Sequence, residues 1–409
     1  MKIAVVIERY TAQGGGAERS TAQIVGELLR RGHDVTVIAA AADEQPADTP
    51  LTLRVLGKAR RMHALRLWRF ERFVRGELER GGFDVSLSIT TSAPATVVQP
   101  RAGLILEVQA RNVAMRRGAA GRALKWMSTR LSLKQWMLRI IERHTVRDPM
   151  VQRFVAISGY IARQLESHYA VPADRITVIP NAAEMPDLSA DQRARMRSVV
   201  RGAYSIDGAE QVLLFAAINP ALKGWGTLLG ALARLKEVGH AATVLAAGEI
   251  RHEHLVQAAE RGVRDRIKVV GPTARMAELY AAADLTVLPT WFDPSSKVVI
   301  ESLMVGTPAI STAYNGASGF ILPSGRLDDA ARGRVIDDPG DDAALAAAIT
   351  ELADPHVYAR CSAACAGLSD ELSMRRHVDA LETVLADAAA SSKAQSEAAA
   401  VEAAAPVES

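Results

Sequence analysis

Two acidic side chains, Asp293 and Glu301, stand eight positions apart in the stretch WFDPSSKVVIESLMVGTP. The apolar run after the serines predicts a helix that begins near Ser296 and that Ser295 or Ser296 can cap. The first-turn N–H groups and the dipole of such a helix form a seat for an anion. Two carboxylates, which only accept hydrogen bonds, suit a ligand with phosphates in the middle and hydroxyl groups at both ends. From the spacing alone, a turn aspartate and a solvated helix glutamate explain the stretch equally well.

Lys223 is a second candidate for binding an anion. It follows the predicted strand QVLLFAAI through the short loop NPAL and precedes a predicted helix. A lysine in this place can put a point charge on a phosphate, although surface lysines before helices are common. Lys223 differs from an ordinary surface lysine because, like Asp293, it lies beyond the carboxyl end of a predicted strand. Sheets of α/β proteins bind ligands at that edge. A nucleotide sugar has the layout that Lys223, Asp293 and Glu301 would recognise.

Three glycines, Gly14, Gly15 and Gly16, follow the first predicted strand and open a predicted helix. The dinucleotide-binding spacing G-x-G-x-x-G fails because residue 19 is arginine, and no acid ends the second strand to bind a ribose. NAD is therefore not expected. Two interpretations remain: a mobile loop whose backbone N–H groups face a phosphate or sugar oxygen, and a tight strand-to-helix turn.

The elements that must position these residues alternate between strand and helix in both halves of the chain. This alternation predicts an α/β fold of two Rossmann-like, doubly wound parallel-sheet domains facing a cleft. A length of 409 residues and a hydrophobic content of 49% are enough for two large cores. We expect an N-terminal domain at 1–184 with a basic helical insert at about 111–153, and a C-terminal domain at 185–355. A final helix at about 356–386 is expected to pack back towards the N-terminal domain, and residues 388–409 are expected to be a disordered tail.

Charge is unevenly distributed along the chain. Residues 1–184 contain 28 Lys and Arg against 17 Asp and Glu, whereas the remainder contains 21 against 29. Between residues 110 and 153, eleven basic residues accompany two acids, with Trp126 and Trp136 among them and apolar residues at helical spacing. Such a segment is a candidate for lying on an anionic membrane. The alternative is an apolar stripe that packs on the domain core while the arginines are merely solvated. No recognition motif for nucleic acid accompanies the basic residues, so nucleic acid is not an expected partner.

Cys361 and Cys365 are the two cysteines, four positions apart in a predicted helix. A disulfide framework or a zinc site is not expected from this pair, and a reducing compartment fits it. No run of eighteen apolar residues predicts a membrane-spanning helix. We therefore expect a cytoplasmic location, with the basic helices as a candidate contact with the inner face of the cytoplasmic membrane.

Three segments resemble the retaining glycosyltransferases of family 4, which have the two-domain GT-B fold. GGGAERS, residues 14–20, is similar to the family's N-terminal loop, residues 155–184 to its interdomain segment, and residues 276–319 to its donor-site segment. The similarity covers most of residues 1–386 and is nearest to enzymes that build lipopolysaccharide cores and other cell-envelope glycans. It implies transfer of a sugar from a UDP- or GDP-linked donor to a cell-envelope glycan or lipid-linked acceptor, with retention of the anomeric configuration. It implies no metal ion and no further cofactor.

The resemblance also implies that the N-terminal domain, 1–184, binds the acceptor and that the C-terminal domain, 185–355, binds the nucleotide-sugar donor. It further implies roles for single residues. Glu301 would bind the ribose hydroxyls of the donor and Asp293 the hydroxyls of the transferred sugar. Lys223 would neutralise the departing diphosphate. Backbone N–H groups from both domains would face the donor, namely those around Ser296, Lys297, Val298, Gly15 and Gly16.

Two positions depart from the family's pattern. The family usually has an arginine shortly before the lysine, and INPALK, residues 218–223, has none. Where the family often has a histidine in the first domain, this chain has Arg101, a candidate to reach the diphosphate in place of the missing arginine. Losing one such contact would cost about 2–4 kcal/mol of transition-state stabilisation. The alternative function is therefore a catalytically weak or inactive nucleotide-sugar-binding protein. A sugar-nucleotide epimerase would need a base that the first domain does not visibly offer.

Overall fold

The computed structural model describes residues 1–11, 15–43, 51–57 and 63–404. The chain divides into two compact units. The first contains Met1–Gln109, Trp126–Pro180 and Met374–Ser409, and the second contains Ala110–Lys125 and Asn181–Ser373. After residue 180 the chain thus passes from the first unit to the second, and it returns to the first unit at residue 374. The sequence suggested boundaries at residue 184 and at about residue 356. The sequence did not suggest that Ala110–Lys125, which lies inside the basic insert, belongs with the second unit.

Within the described ranges, the first unit contains a seven-stranded sheet whose neighbouring strands are all parallel. The strands are β1 (Lys2–Tyr10), β2 (Asp34–Ala42), β3 (Thr52–Val55), β4 (Val85–Ser88), β5 (Val97–Val98), β6 (Arg153–Ala156) and β7 (Ile176–Val178). Their order is β3-β2-β1-β4-β5-β6-β7, so the direction of winding reverses between β1 and β4. The sequence did not reveal β3 and β5, because strands of four and two residues are too short to show a periodicity.

The helices that precede residue 180 have amphipathic spacing, but not all of them bury their apolar residues against the sheet. They are α1 (Gly16–Arg30), α2 (His63–Gly81), α3 (Ile105–Ala114), α4 (Gly118–Leu131), α5 (Leu133–Val146) and α6 (Gly159–Tyr169). The basic insert is therefore three helices, α3 to α5. The predicted apolar stripe is divided, because Ile141 is buried whereas Met127, Leu131 and Ile140 are exposed.

The second unit, which is described throughout, contains a six-stranded parallel sheet of order β10-β9-β8-β11-β12-β13. Its strands are β8 (Gln211–Ala217), β9 (Ala242–Gly248), β10 (Ile267–Gly271), β11 (Leu285–Val287), β12 (Ala309–Thr312) and β13 (Gly333–Ile336). Its helices are α7 (Ala190–Ala203), α8 (Trp225–Glu237), α9 (His252–Glu260), α10 (Met276–Ala282), α11 (Lys297–Met304), α12 (Ser318–Ile321), α13 (Asp342–Glu351), α14 (Pro355–Ala363) and α15 (Leu368–Glu371). Both sheets confirm the predicted α/β fold of two doubly wound, Rossmann-like domains. Winding reverses between β8 and β11, which is where such sheets bind ligands.

The final helix, α16 (Met374–Ala404), belongs to the first unit. Its residue Glu382 accepts hydrogen bonds at 2.8 Å from the Arg31 guanidinium and bonds His33 Nε2 at the same distance. The helix continues through residues 388–404, which the sequence suggested to be disordered, while residues 405–409 lie outside the described part. Alanine dominates this tail and has the highest helix propensity of all residues, which accounts for the difference.

Cys361 and Cys365 are buried and not bonded to each other, and Cys365 donates its thiol hydrogen to the carbonyl of Cys361 at 3.3 Å. In the described part of the chain, no helix combines the length and apolar character needed to cross a membrane.

Candidate functional site

Lys223 and Asp293 meet at the point where the second sheet reverses its winding. Strands β8 and β11 are hydrogen-bonded neighbours, and the loops that follow them carry the two residues. Lys223 Nζ donates to Asp293 Oδ2 at 2.6 Å and to the carbonyl of Phe292 at 3.4 Å. The lysine and aspartate side chains are 20% and 12% exposed, so the ion pair is largely but not fully withdrawn from water. The structure thus brings together two of the predicted site residues that are separated by 70 positions.

Backbone contacts join these two loops. The N–H of Trp291 donates to the carbonyl of Leu222 at 2.9 Å, directly before Lys223. Gly224 follows with φ of +85°, and a Cβ there would lie 2.0 Å from the carbonyl oxygen of Pro289. Only glycine fits such a close approach in the left-handed region. Gly224 therefore allows its loop to lie close to the loop that carries Asp293, and this places the ammonium group of Lys223 next to Asp293.

Asp293 is fixed on both carboxylate oxygens. Its Oδ1 accepts from the N–H of Ser295 at 3.1 Å, while Oδ2 accepts from Lys223. Its backbone is also held, because its N–H donates to the carbonyl of Tyr314 and its carbonyl accepts from Gly316, each at 2.9 Å. A carboxylate held at both oxygens and both backbone groups presents its remaining lone pairs in a defined direction, as a hydroxyl-binding group must.

Helix α11 begins at Lys297, one residue after the predicted start, with Ser296 as N-cap. In this fully described region, neither the Ser295 nor the Ser296 side chain accepts a hydrogen bond from the first turn of α11. The predicted side-chain cap is therefore absent. The N–H groups of Ser295 and Ser296 are already bonded, to Asp293 and to Asn315 Oδ1 respectively. The predicted anion seat would therefore have to be formed by the first turn of α11, which includes Lys297 and Val298. In this region the hydroxyl of Ser295 is buried without a hydrogen-bond partner, a condition that proteins usually avoid.

Glu301 lies one turn inside α11, as predicted. Its Oε2 accepts a hydrogen bond from the hydroxyl of Tyr280 at 2.8 Å. Burial, and then the charge of Glu301, raise the pKa of Tyr280 well above its ordinary value, so the phenol stays protonated and remains a donor. Glu301 is half-buried and positioned by this contact, and a carboxylate in this state binds hydroxyl groups.

The remaining predicted site residues lie in the first unit. Gly15 is the N-cap of α1 and Gly16 its first residue, while Gly14 lies outside the described residues. Neither described glycine has a positive φ, and a Cβ on Gly16 would meet no atom within 4 Å. The local backbone therefore does not require glycine at position 16. Arg101 is buried, and its guanidinium lies 3.1 Å from Gln99 Oε1 and 3.4 Å from His377 Nε2. Burial lowers the pKa of Arg101 to about 10.

Sequence reasoning missed three residues that organise the site. Asn315 Oδ1 accepts from the N–H groups of Ser296 and Ala317, and Asn181 donates to the carbonyl of Ser295 at 2.9 Å. Tyr280 holds Glu301. The Asn-Gly dipeptide at 315–316 is a turn signal after a strand and could have identified Asn315. No comparable signal identifies Asn181 or Tyr280.

Two family models match the chain. The model described as Glycosyltransferase Family 4 matches residues 14–185, and the model described as Glycosyl transferases group 1 matches residues 209–354. A D-inositol 3-phosphate glycosyltransferase of Segniliparus rotundus is 29% identical over 172 residues, which is 40% of this chain and 37% of that protein. The chain thus matches well under half the length of that relative.

Solved structures are similar over nearly the whole chain. WaaG, a glycosyltransferase involved in lipopolysaccharide biosynthesis, has a TM-score of 0.75 at 19% identity, covering 94% of this chain and 99% of that chain. HepE of Anabaena, in complex with UDP and glucose, has a TM-score of 0.66 at 16% identity, covering 94% and 99%. Identities this low establish the fold alone. Together the two family models cover most of the chain and the fold agrees with them, so the chain belongs to the GT-B glycosyltransferases, with a family 4 first half and a group 1 second half.

Proposed function

We propose that the protein transfers a sugar from a UDP- or GDP-linked donor to a cell-envelope glycan or lipid-linked acceptor, with retention of the anomeric configuration. The observation that carries the proposal is the meeting of Lys223, Asp293 and helix α11 at the winding reversal of the second sheet. This edge is where doubly wound sheets bind nucleotides. The UDP and glucose bound to the similarly folded HepE support a nucleotide-sugar donor.

The proposed chemistry assigns each group one task. Glu301, held by Tyr280, binds the ribose hydroxyls, and Asp293 binds hydroxyls of the transferred sugar. Lys223 and the first turn of α11 stabilise the negative charge that develops on the diphosphate. The glycosidic C–O bond breaks as the acceptor oxygen attacks the anomeric carbon from the same face, and the departing phosphate oxygen takes the acceptor proton. No further side chain is needed as a base.

The ion pair between Lys223 and Asp293 has a consequence for binding. The ammonium group that would meet the diphosphate is bound to the carboxylate that would meet the sugar. A donor that engages both residues must share this ammonium between a carboxylate and a phosphate. We therefore expect sugar and diphosphate recognition to be coupled, so that UDP alone and UDP-sugar respond differently to Asp293→Ala.

The test begins with thermal shift against UDP- and GDP-linked sugars, followed by donor hydrolysis and transfer assays. Glu301→Ala should weaken binding of all donors that carry the same base. Asp293→Ala should leave the affinity for UDP within about threefold of the parent's affinity, and it should reduce discrimination between donors with different sugars. If both variants bind all donors like the parent, the site assignment is wrong. Donor binding without any turnover by the parent would leave the nucleotide-sugar-binding protein as the function.

We also propose that helices α4 and α5 lie on an anionic membrane surface. Large apolar side chains of the first unit are exposed there, with Leu131 at 80% and Leu133 at 66%. Trp126 and Trp136 are half exposed beside them, and Arg130 lies 4.9 Å from the centroid of the Trp126 ring. Exposed leucines with tryptophans and cations between them suit the boundary between lipid headgroups and acyl chains.

Vesicle flotation with phosphatidylglycerol and phosphatidylcholine tests this surface. Trp136→Ala and Leu131→Ser should each lower binding to phosphatidylglycerol vesicles several-fold. Trp68→Ala is the matched control, because Trp68 is also exposed in the first unit and also carries an arginine, Arg72, over its ring. Equal loss in the Trp68 variant, or binding that ignores lipid charge, would contradict the proposal.

A further inference from the structure

A cavity of about 1340 Å³ lies within the second unit. The segment Ala110–Lys125 supplies part of its lining, including Arg111, Arg116, Arg117 and Arg122. The volume exceeds the roughly 300–1,000 Å³ of a pocket for a drug-sized ligand, so it accommodates a ligand of more than one ring. The cavity is separate from the contacts by which Glu301 and Tyr280 would position a nucleotide.

Three arginines of this cavity, Arg116, Arg117 and Arg122, are not neutralised by a neighbouring carboxylate. The segment Ala110–Lys125 contains no Asp or Glu. In the second unit, which is described throughout, the side chains of Arg116, Arg117 and Arg122 make no ion pair or hydrogen bond. Arg117 Nη2 comes within 3.9 Å of where a Cβ on Gly226 would lie, which places this guanidinium at the cavity wall. Guanidinium groups present a planar fork that matches phosphate and carboxylate oxygens, so the part of the lining that Ala110–Lys125 supplies favours an anionic group of the ligand.

The rest of the lining has the chemistry of a sugar site. Five carboxylates line the same cavity, and none of them pairs with an arginine of the lining; they belong to Glu253, Glu260, Asp337, Asp338 and Asp342. Carboxylates and guanidiniums that share a cavity without pairing are separated by space that a ligand can fill. Their two chemistries suit the two kinds of polar group on an acidic saccharide, hydroxyls and a negative charge.

The cavity also borders residues that contact Asp293, which would hold the transferred sugar. Trp291 and Tyr314 line it, and the N–H of Asp293 donates to the carbonyl of Tyr314 at 2.9 Å. Arg111 stacks over the Tyr314 ring, with its guanidinium carbon 4.1 Å from the ring centroid. Tyr314, which lines the cavity, is thus in direct backbone contact with Asp293, the residue proposed to hold the transferred sugar.

From these observations we infer that the cavity binds the acceptor, and that the acceptor is a saccharide bearing a phosphate or carboxylate group. This inference rests on the proposed function, because it identifies the second substrate of the same site. The negative charge is bound by the arginines of Ala110–Lys125, and the hydroxyls by the carboxylates of the opposite lining. The arginines thereby select for anionic over neutral acceptors of the same size.

Calorimetric titration of the full chain, saturated with UDP, tests the inference with glucose 6-phosphate, glucuronate and neutral glucose as probes. The parent should bind the two anionic probes at least tenfold more tightly than glucose. Arg117→Gln and Arg122→Gln should each weaken glucose 6-phosphate binding by tenfold or more and leave glucose binding unchanged. Arg130→Gln is the matched control for Arg122→Gln, because it removes the same charge from the same helix, α4, outside the cavity lining. Its affinity should remain within twofold of the parent.

Several results would overturn the inference. One is equal affinity of the parent for glucose 6-phosphate and glucose, and another is a loss in Arg130→Gln as large as that in Arg122→Gln. Displacement of glucose 6-phosphate by inorganic phosphate at equal concentration would reveal a simple anion site, and displacement by phosphatidylglycerol vesicles would reveal a lipid-headgroup site. The thermal shift caused by UDP is measured in every variant. The absence of a shift with both UDP and GDP in the parent would refute the proposed function, whereas a normal nucleotide shift without binding of the anionic probes refutes only the acceptor assignment.

Discussion

Lys223→Met keeps much of the length of the side chain and removes its charge. The ammonium lies 2.6 Å from Asp293 Oδ2 in a pair that is 20% and 12% exposed. A phosphate oxygen about 4 Å from this ammonium would gain about 4 kcal/mol at an effective dielectric constant of about 20. Because the site retains some water, about 2–4 kcal/mol is the expected loss of transition-state stabilisation, in line with the removal of one charged contact. We expect turnover to fall by about 30- to 900-fold.

The assay is steady-state turnover of the nucleotide sugar that gives the largest thermal shift, with UDP affinity measured in parallel. Turnover should fall more than UDP affinity, because charge on the leaving group develops in the transition state. Lys236→Met is the control, since Lys236 is also a lysine of the second unit, paired with Asp265 and 44% exposed. Turnover of Lys223→Met within threefold of the parent would refute the role of the ammonium. An equal loss in Lys236→Met would show that the effect is not local.

A second substitution separates chemistry from folding. Lys223→Met leaves the Asp293 carboxylate without its counter-charge, and an unpaired, mostly buried charge is destabilising. Adding Asp293→Asn removes that charge, so the double variant should recover melting temperature. Because Asp293 has its own proposed role, turnover of the double variant is compared with that of Asp293→Asn alone and should be lower. If turnover recovers together with melting temperature, the loss in Lys223→Met was caused by instability.

Three further outcomes are expected. Gly224→Ala should lower the melting temperature by several degrees more than Gly239→Ala, because both glycines have positive φ but only a Cβ at Gly224 meets a backbone atom within 4 Å; equal shifts would contradict this. A hydrogen bond from Arg31 holds the pKa of Glu382 below its ordinary value, so the stabilisation is present above about pH 4.3 and is lost as the pH falls through the lowered pKa. The protection factors of α16 amides, which are corrected for the slower intrinsic exchange at low pH, should therefore fall on acidification in the parent and be less pH-dependent in Glu382→Gln. Asn315→Ala leaves two buried N–H groups without their acceptor and should destabilise the protein by about 1–3 kcal/mol, measured by urea unfolding; a change under 0.5 kcal/mol would contradict the role of this side chain.

Much of the second unit could be predicted because its strands and helices have strong periodicities. The strand before Lys223 and the strand before Asp293 were both visible, and parallel strands bring their carboxyl ends to one edge. Glu301 could be placed one turn inside a helix from spacing alone. The helix cap could not be identified, because the choice between the serine side chains and Asn315 as hydrogen-bond partners depends on a loop 19 residues further along the chain.

The first unit was harder to read in detail. Strand β5 has two residues and is held by neighbours on both sides, so its conformation comes from the sheet and not from its own pattern. Arg101 could be assigned to a charged ligand from its residue type, but its surroundings, Gln99 and His377, come from positions 2 and 276 residues away. A single arginine in a loop carries no local sign of burial.

The sequence by itself determined the two doubly wound domains, the family, and the identity of Lys223, Asp293 and Glu301 as candidates, because hydrophobic period and residue type are local properties. Only the tertiary structure decided that Lys223 bonds Asp293 and that Ala110–Lys125 joins the second unit. Those contacts span 70 residues and more, and they depend on the order in which strands join the sheet. Local patterns describe which face of an element is buried, whereas the closing of long loops decides which element covers it.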